Sequence, residues 1–165
     1  MNLIRRGQPV SCVTAAIPAA PVLSAPGAAT HGMEGEQLAI DPTTRILIIL
    51  QAGTESHEGR ARALHSMLYA KELAAAGATV RLVFDGAGTG WLARWRRSDG
   101  PVSRAAELFA ELKADGLAYE VCDYCAGAFD VREELSEAGE ALTGSYMDHP
   151  SVASHVADGF QVWIL

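Results

Sequence analysis

The sequence predicts an α/β fold, a doubly wound parallel sheet of four or five strands with helices on both faces in a single domain. Three observations predict it. Short β-branched and aliphatic runs alternate with longer stretches whose apolar residues recur at helical spacing. Glycines follow those stretches where helices stop. The resulting order, β, α, β, α, β, α, α, β, is the one that builds a parallel sheet.

Residues 1–42 stand apart from this pattern. Five of the seven prolines fall there, at positions 9, 18, 21, 26 and 42, among Ala, Ser and Gly with no sustained periodicity. A stretch of this kind cannot bury enough apolar surface to offset its ordering entropy, so a disordered Pro/Ala-rich extension is expected, with the domain at 43–165. Arg5 and Arg6 precede a mildly apolar segment, but prolines interrupt it where an export signal needs a clean apolar core. Met33 is an alternative start.

The run from Thr43 to Leu50 reads as a strand buried on both faces. From Gly59 to Ala76, Ala63, Met67, Ala70 and Ala74 recur on one face with Leu64, Leu68 and Leu73 beside them, and Gly77 ends the helix. A second strand spans Thr79 to Phe84 and leads into Asp85-Gly86-Ala87-Gly88-Thr89-Gly90. Pro101 to Asp115 reads as a helix with Pro at its start and Gly116 at its end. Leu117 to Cys122 forms a third strand and runs into a helical stretch that ends at Glu137. A helix then follows Pro150, and Phe160 to Leu165 closes the chain as a strand.

Length and charge narrow the function. At 165 residues, with 49% apolar and 20% charged, the chain suits one domain. Thirteen Lys and Arg against twenty Asp and Glu give a net charge of −7, the wrong sign for holding phosphate backbones, so no nucleic acid is expected as partner. No apolar run nears the ~20 residues of a membrane span, so no membrane association is expected. Three cysteines, two of them in the single C-x-x-C pair Cys122 and Cys125, do not make a disulfide scaffold and point to a reducing, cytoplasmic setting.

In a parallel sheet, ligands bind at the carboxyl ends of the strands. Three loops share that edge: Gln51 to Glu58, Asp85 to Gly90, and Cys122 to Cys125. Cys122 closes a strand and Cys125 opens a helix, where the helix dipole favours thiolate; the bland reading of Cys122 is a small apolar residue packed at a strand end. Tetrahedral zinc needs four ligands and no second pair stands in the sequence, so no metal is expected, nor any cofactor. The spacing of Gly86, Gly88 and Gly90 misses the dinucleotide fingerprint, and these glycines read as a tight turn beside the site. His57, with Glu55 and Glu58 near it, is either an aid to proton transfer or a solvated loop residue. His57, Asp85, Gly86 and Gly88 are therefore the candidate substrate-binding residues, and Cys122 and Cys125 the candidate catalytic ones. Arg94, Arg96 and Arg97 either hold an anion or belong to an amphipathic turn whose tryptophans point inward. Asp148-His149-Pro150 reads as a helix start with Pro at the first helical position.

The string from Tyr119 to Val131, the earlier Val83 to Gly88, His149-Pro150-Ser151, and Asp158 to Val162 together resemble the DsrE-like family. The resemblance runs from Arg45 to Leu165, and its strongest element is the cysteine that ends the third strand. In sulfur-relay members the corresponding cysteine carries a persulfide, and the position falls on Cys122. Cys125 has no counterpart in many of them, and Asp130 stands where they tend to have glycine. The resemblance implies a small sulfur carrier or sulfurtransferase-like protein, forming a trimer or hexamer, whose partners are sulfur donor and acceptor proteins or small thiols. Cys125 would be auxiliary, resolving the persulfide. The alternatives are a non-catalytic module that binds a small ligand or nucleotide, and a structural oligomer subunit.

Overall fold

A computed structural model describes residues 39–97 and 102–165. The elements are β1 (Arg45–Leu50), α1 (His57–Ala75), β2 (Thr79–Phe84), α2 (Gly90–Arg96), α3 (Arg104–Ala114), β3 (Ala118–Cys122), α4 (Asp123–Ala128), α5 (Arg132–Glu137), β4 (Leu142–Thr143), α6 (Val152–Ala157) and β5 (Gln161–Ile164). The strands form one five-stranded sheet in the order β4-β3-β2-β1-β5. Every pairing is parallel.

Residues alternate between the faces of β1 with the period of two that a pleated strand imposes. Ile46, Ile48 and Leu50 pack with Val80, Leu82, Phe84 and Val121 into the larger core, beneath Ala63, Met67 and Ala70 of α1 and Leu108, Phe109 and Leu112 of α3. Leu47, Ile49 and Val83 face the other way and pack with Phe160. Both faces of β1 are thus covered, which is why its sequence is a continuous apolar run rather than an alternating one. Met67, Leu82 and Phe84 are fully buried, each worth roughly 1.5–3 kcal/mol relative to an exposed side chain.

Chain direction sets the layers. Steps from β1 to β2 to β3 to β4 run one way across the sheet, and right-handed crossovers then place α1, α3 and α5 on a common face. The return from β4 to β5 runs the other way and carries α6 to the opposite face, where His155 meets Glu120 of β3 and the ring of Phe160.

Several boundaries differ from the sequence reading. α3 begins after Ser103, whose side chain accepts the Ala106 N–H, while Pro101 lies outside the described residues. The expected single stretch to Glu137 is two helices, because α4 closes at Phe129 and Asp130 takes a left-handed φ of 56°. Pro150 is not a helical residue. Ser151 caps α6 instead, accepting the Ser154 N–H at 3.2 Å, since a hydroxyl satisfies an end N–H that Pro cannot. The short strand β4 and the helix α2 complete the order; Trp91 and Trp95 of α2 pack inward, and Trp91 donates to the Ala52 carbonyl. Of the expected extension, residues 1–38 lie outside the described part, and Ile40 already bonds the end of α1 through Ala76. No helix among the described residues is long and apolar enough to cross a membrane.

Candidate functional site

The three segments expected at the carboxyl edge lie there, following β1, β2 and β3, although His57 and Glu58 already belong to α1 and Asp123 through Cys125 to α4, so no loop separates β3 from α4. A fourth segment joins them. From β3 the chain turns into α4 on the larger-core face, whereas from β4 it runs through residues 144–151 to α6 on the opposite face. Neighbouring strands whose loops part to opposite faces leave a crevice between them. Cys122 ends β3 on one side of that crevice, and His149 stands on the other.

His149 is held by a two-residue hairpin turn. Tyr146 and His149 exchange both backbone hydrogen bonds, at 2.8 and 2.9 Å, and the central residues Met147 and Asp148 have φ of 48° and 63°. Two successive positive φ values make a type I′ turn. Neither residue is glycine, so the turn holds local strain that its surroundings must support. That support comes from α4, whose Tyr124 donates its N–H to the Asp148 carbonyl at 3.0 Å and lays its ring 4.8 Å from the His149 ring.

Four polar side chains converge. The Sγ of Cys122 lies 3.1 Å from Nδ1 of His149. The Sγ of Cys125 lies 3.1 Å from Oδ1 of Asp85, to which it donates, and 3.8 Å from the same imidazole nitrogen. The other carboxylate oxygen of Asp85 accepts Nε2 of Gln51 at 2.8 Å. Cys122 is also the N-cap of α4, its sulfur accepting the Cys125 N–H at 3.4 Å. Both cysteines are free thiols, 0% and 6% exposed. His149 and Asp85 face outward, and a cavity of about 530 Å³ opens beside them over Leu47, Ile49 and Val83.

These surroundings set the protonation states. Burial pushes the Cys122 thiol far above its ordinary range, outweighing the single backbone N–H from Cys125. Burial likewise raises Cys125, and the Asp85 carboxylate adds to the rise. The expectation that the helix end would favour thiolate is corrected here. α4 is only six residues long and removing the sulfur from water costs more than its terminus returns. For Asp85, burial acts to raise the pKa, but hydrogen bonds from Gln51 and both thiols outweigh it and hold the carboxyl below its usual range. The cluster at rest therefore pairs two neutral thiols with a carboxylate beside the His149 ring, and a base must take the proton before either sulfur attacks.

Of the other candidates, Asp85 is brought to the cysteines and His57 is not. His57 begins α1, exposed, with its ring nitrogen 2.8 Å from Arg60. Gly86 takes a φ of 52° at the start of the turn, and a Cβ on Gly88 would lie 2.0 Å from the Leu50 carbonyl oxygen, so this loop is pressed onto the end of β1. Arg96 and Arg97 pair with Glu140 and Glu134 on the larger-core side. The residue that sequence reasoning set aside is His149, 27 positions from Cys122. The available signal was Pro150, which biases the residue before it toward extended backbone and away from a helix start.

Comparison with curated proteins and with solved structures finds no match. The sequence profile of the DsrE/DsrF-like family matches residues 44–159, from just before β1 to just past α6 and so across the whole cluster. With a five-stranded parallel sheet, a cysteine at the end of β3 and most of its length matched, the chain belongs to the DsrE/DsrF-like family.

Proposed function

We propose that this protein accepts sulfane sulfur on Cys122 as a persulfide and passes it to an acceptor thiol, with Cys125 auxiliary. The observation that carries the reading is the pairing of each cysteine. The His149 imidazole is 3.1 Å from the Cys122 sulfur against 3.8 Å from that of Cys125, whose nearer partner is the Asp85 carboxylate at 3.1 Å. An imidazole beside a thiol takes its proton and stabilises the resulting pair of charges. A carboxylate beside a thiol opposes the thiolate.

The reaction balances without net oxidation. His149 takes the proton of Cys122, and the thiolate attacks the outer sulfur of a persulfide or polysulfide donor. A sulfur–sulfur bond forms at Cys122 as the donor's bond breaks. The donor leaves as a thiolate and receives the proton from His149. Transfer onward reverses these steps, with the acceptor thiolate attacking the outer sulfur. Attack by Cys125 on the Cys122 sulfur instead expels hydrosulfide and leaves a disulfide, which a small thiol or dithiol must reduce. Such a cycle belongs in a reducing compartment, and we place it in the cytoplasm.

The cavity beside His149 and the full burial of Cys122 favour a second reading, a small-ligand binding module with an inert thiol. One experiment separates the two. Reduced protein is incubated with polysulfide and its intact mass measured. A gain of one sulfur atom, lost in Cys122→Ser, supports the carrier; equal uptake by that variant, or none by the native chain, supports the binding module.

A further inference from the structure

The geometry points to a zinc site: we infer that Asp85, Cys122, Cys125 and His149 bind one borderline-soft divalent ion of the zinc type. Their donor atoms, one from each residue, all lie within 4.8 Å of one another. Bond lengths of about 2.3 Å to sulfur and 2.0–2.2 Å to nitrogen or oxygen put the corners of a tetrahedron roughly 3.3–3.8 Å apart. Four of the six edges have measured lengths near that range. Cys122 to His149 is 3.1 Å, Cys125 to Asp85 3.1 Å, Cys125 to His149 3.8 Å, and His149 to Asp85 3.8 Å.

Two sulfurs, one imidazole and one carboxylate form a set that prefers zinc to the hard ions magnesium and calcium, which take oxygen ligands. The supporting partners are also in place. Gln51 holds the far oxygen of Asp85 and turns the near one to the thiols. The Cys125 N–H points at the Cys122 sulfur, and Tyr124 backs the His149 ring. Partners of this kind fix ligand orientation. An ion reaches the set from the side of His149 and Asp85, whose side chains are 40% and 21% exposed. On binding, each thiol releases its proton to solvent and each sulfur forms a bond to the metal, with no change of oxidation state.

The inference goes beyond sulfur transfer and sets a limit on it, because the ion would occupy the sulfur of Cys122. Metal-bound and persulfide-bearing states would exclude each other, and zinc would act as a brake on loading. Zinc binding is measured with no sulfur donor present, and sulfur uptake on metal-free protein, so either reading can fail alone.

The test uses the full chain, reduced and stripped with a chelator, titrated with Zn²⁺ against a chromophoric indicator and separately with Co²⁺. One ion per chain is expected, and Co²⁺ should give the intense visible bands of a tetrahedral thiolate site. Gln51→Leu should weaken zinc binding by about 10–100-fold, and His149→Gln and Asp85→Asn by more. Weak octahedral Co²⁺ bands would overturn the inference in the native chain, whatever the variants do. So would zinc affinity unchanged in both His149→Gln and Asp85→Asn, since the cysteines alone would then be the ligands.

Discussion

At the residue scale, what distinguishes two cysteines three positions apart is the neighbour each one meets. Both are buried and both are raised by burial, so neither exposure nor the helix end separates them. The choice falls to which group is nearer, His149 at 3.1 Å from Cys122 against 3.8 Å from Cys125, with Asp85 3.1 Å from Cys125. Cys125→Ser should therefore still take up sulfur, but its adduct should persist longer because the thiol that resolves it is gone. Following the loaded mass over time after the donor is removed checks this; loss of uptake in Cys125→Ser would reverse the assignment. The cysteines and Asp85 could be placed from the sequence because Cys122 ends β3 and Asp85 directly follows β2, strands with strong apolar patterns, and Cys125 lies three residues beyond Cys122. His149 was not, because its place depends on a turn whose central residues, Met147 and Asp148, carry none of the Asn-Gly chemistry that marks type I′ turns.

Element boundaries show the same division between local and tertiary control. β2 lies where its β-branched residues predict it, and α1 where its periodic apolar face does, with Ser56 capping its start through the Gly59 N–H at 2.9 Å. The end of α4 was less visible. There the Asp130 N–H bonds the Gly127 carbonyl and the Val131 N–H bonds the Ala126 carbonyl, the paired bonds of a Schellman motif with its left-handed residue at Asp130. Glycine is the usual residue at such a position, which gives a physical sense to the glycine that relay proteins tend to have there. Asp130→Gly should remove a left-handed penalty of about 1–2 kcal/mol, less about 0.4–1 kcal/mol of added unfolded-chain entropy. A net stabilisation of up to about 1.6 kcal/mol is expected in urea unfolding, with sulfur uptake unchanged. A fall in stability would show that the Asp130 side chain holds the turn. β4 escaped notice because two residues carry no readable alternation.

For the molecule as a whole, the sheet has one thickly covered face and an exposed apolar strip at the β5 edge. Trp163 and Ile164 on that strand are 39% and 60% exposed, and Tyr69 of α1 stands beside Trp163, with ring centroids 6.4 Å apart. An edge strand bearing apolar residues is a template for association. Light scattering of the native chain at micromolar concentration should give a multi-subunit mass that falls in Ile164→Lys, whereas a clean monomer would contradict association through β5. The order of the longer strands and helices was readable in advance from their apolar patterns, while α2 and β4 were not part of it; the parting of loops between β3 and β4, which puts a histidine opposite a cysteine, needed the sheet itself. On that crevice the functional account rests, and the rate of sulfur gain by metal-free, reduced protein, read by intact mass with polysulfide as donor, tests it most directly. His149→Gln should slow the gain about 10²–10⁴-fold, the range of a lost general base, while its thermal unfolding stays near that of the native chain. An equal rate in a folded His149→Gln variant would contradict the Cys122–His149 pair as the reactive unit.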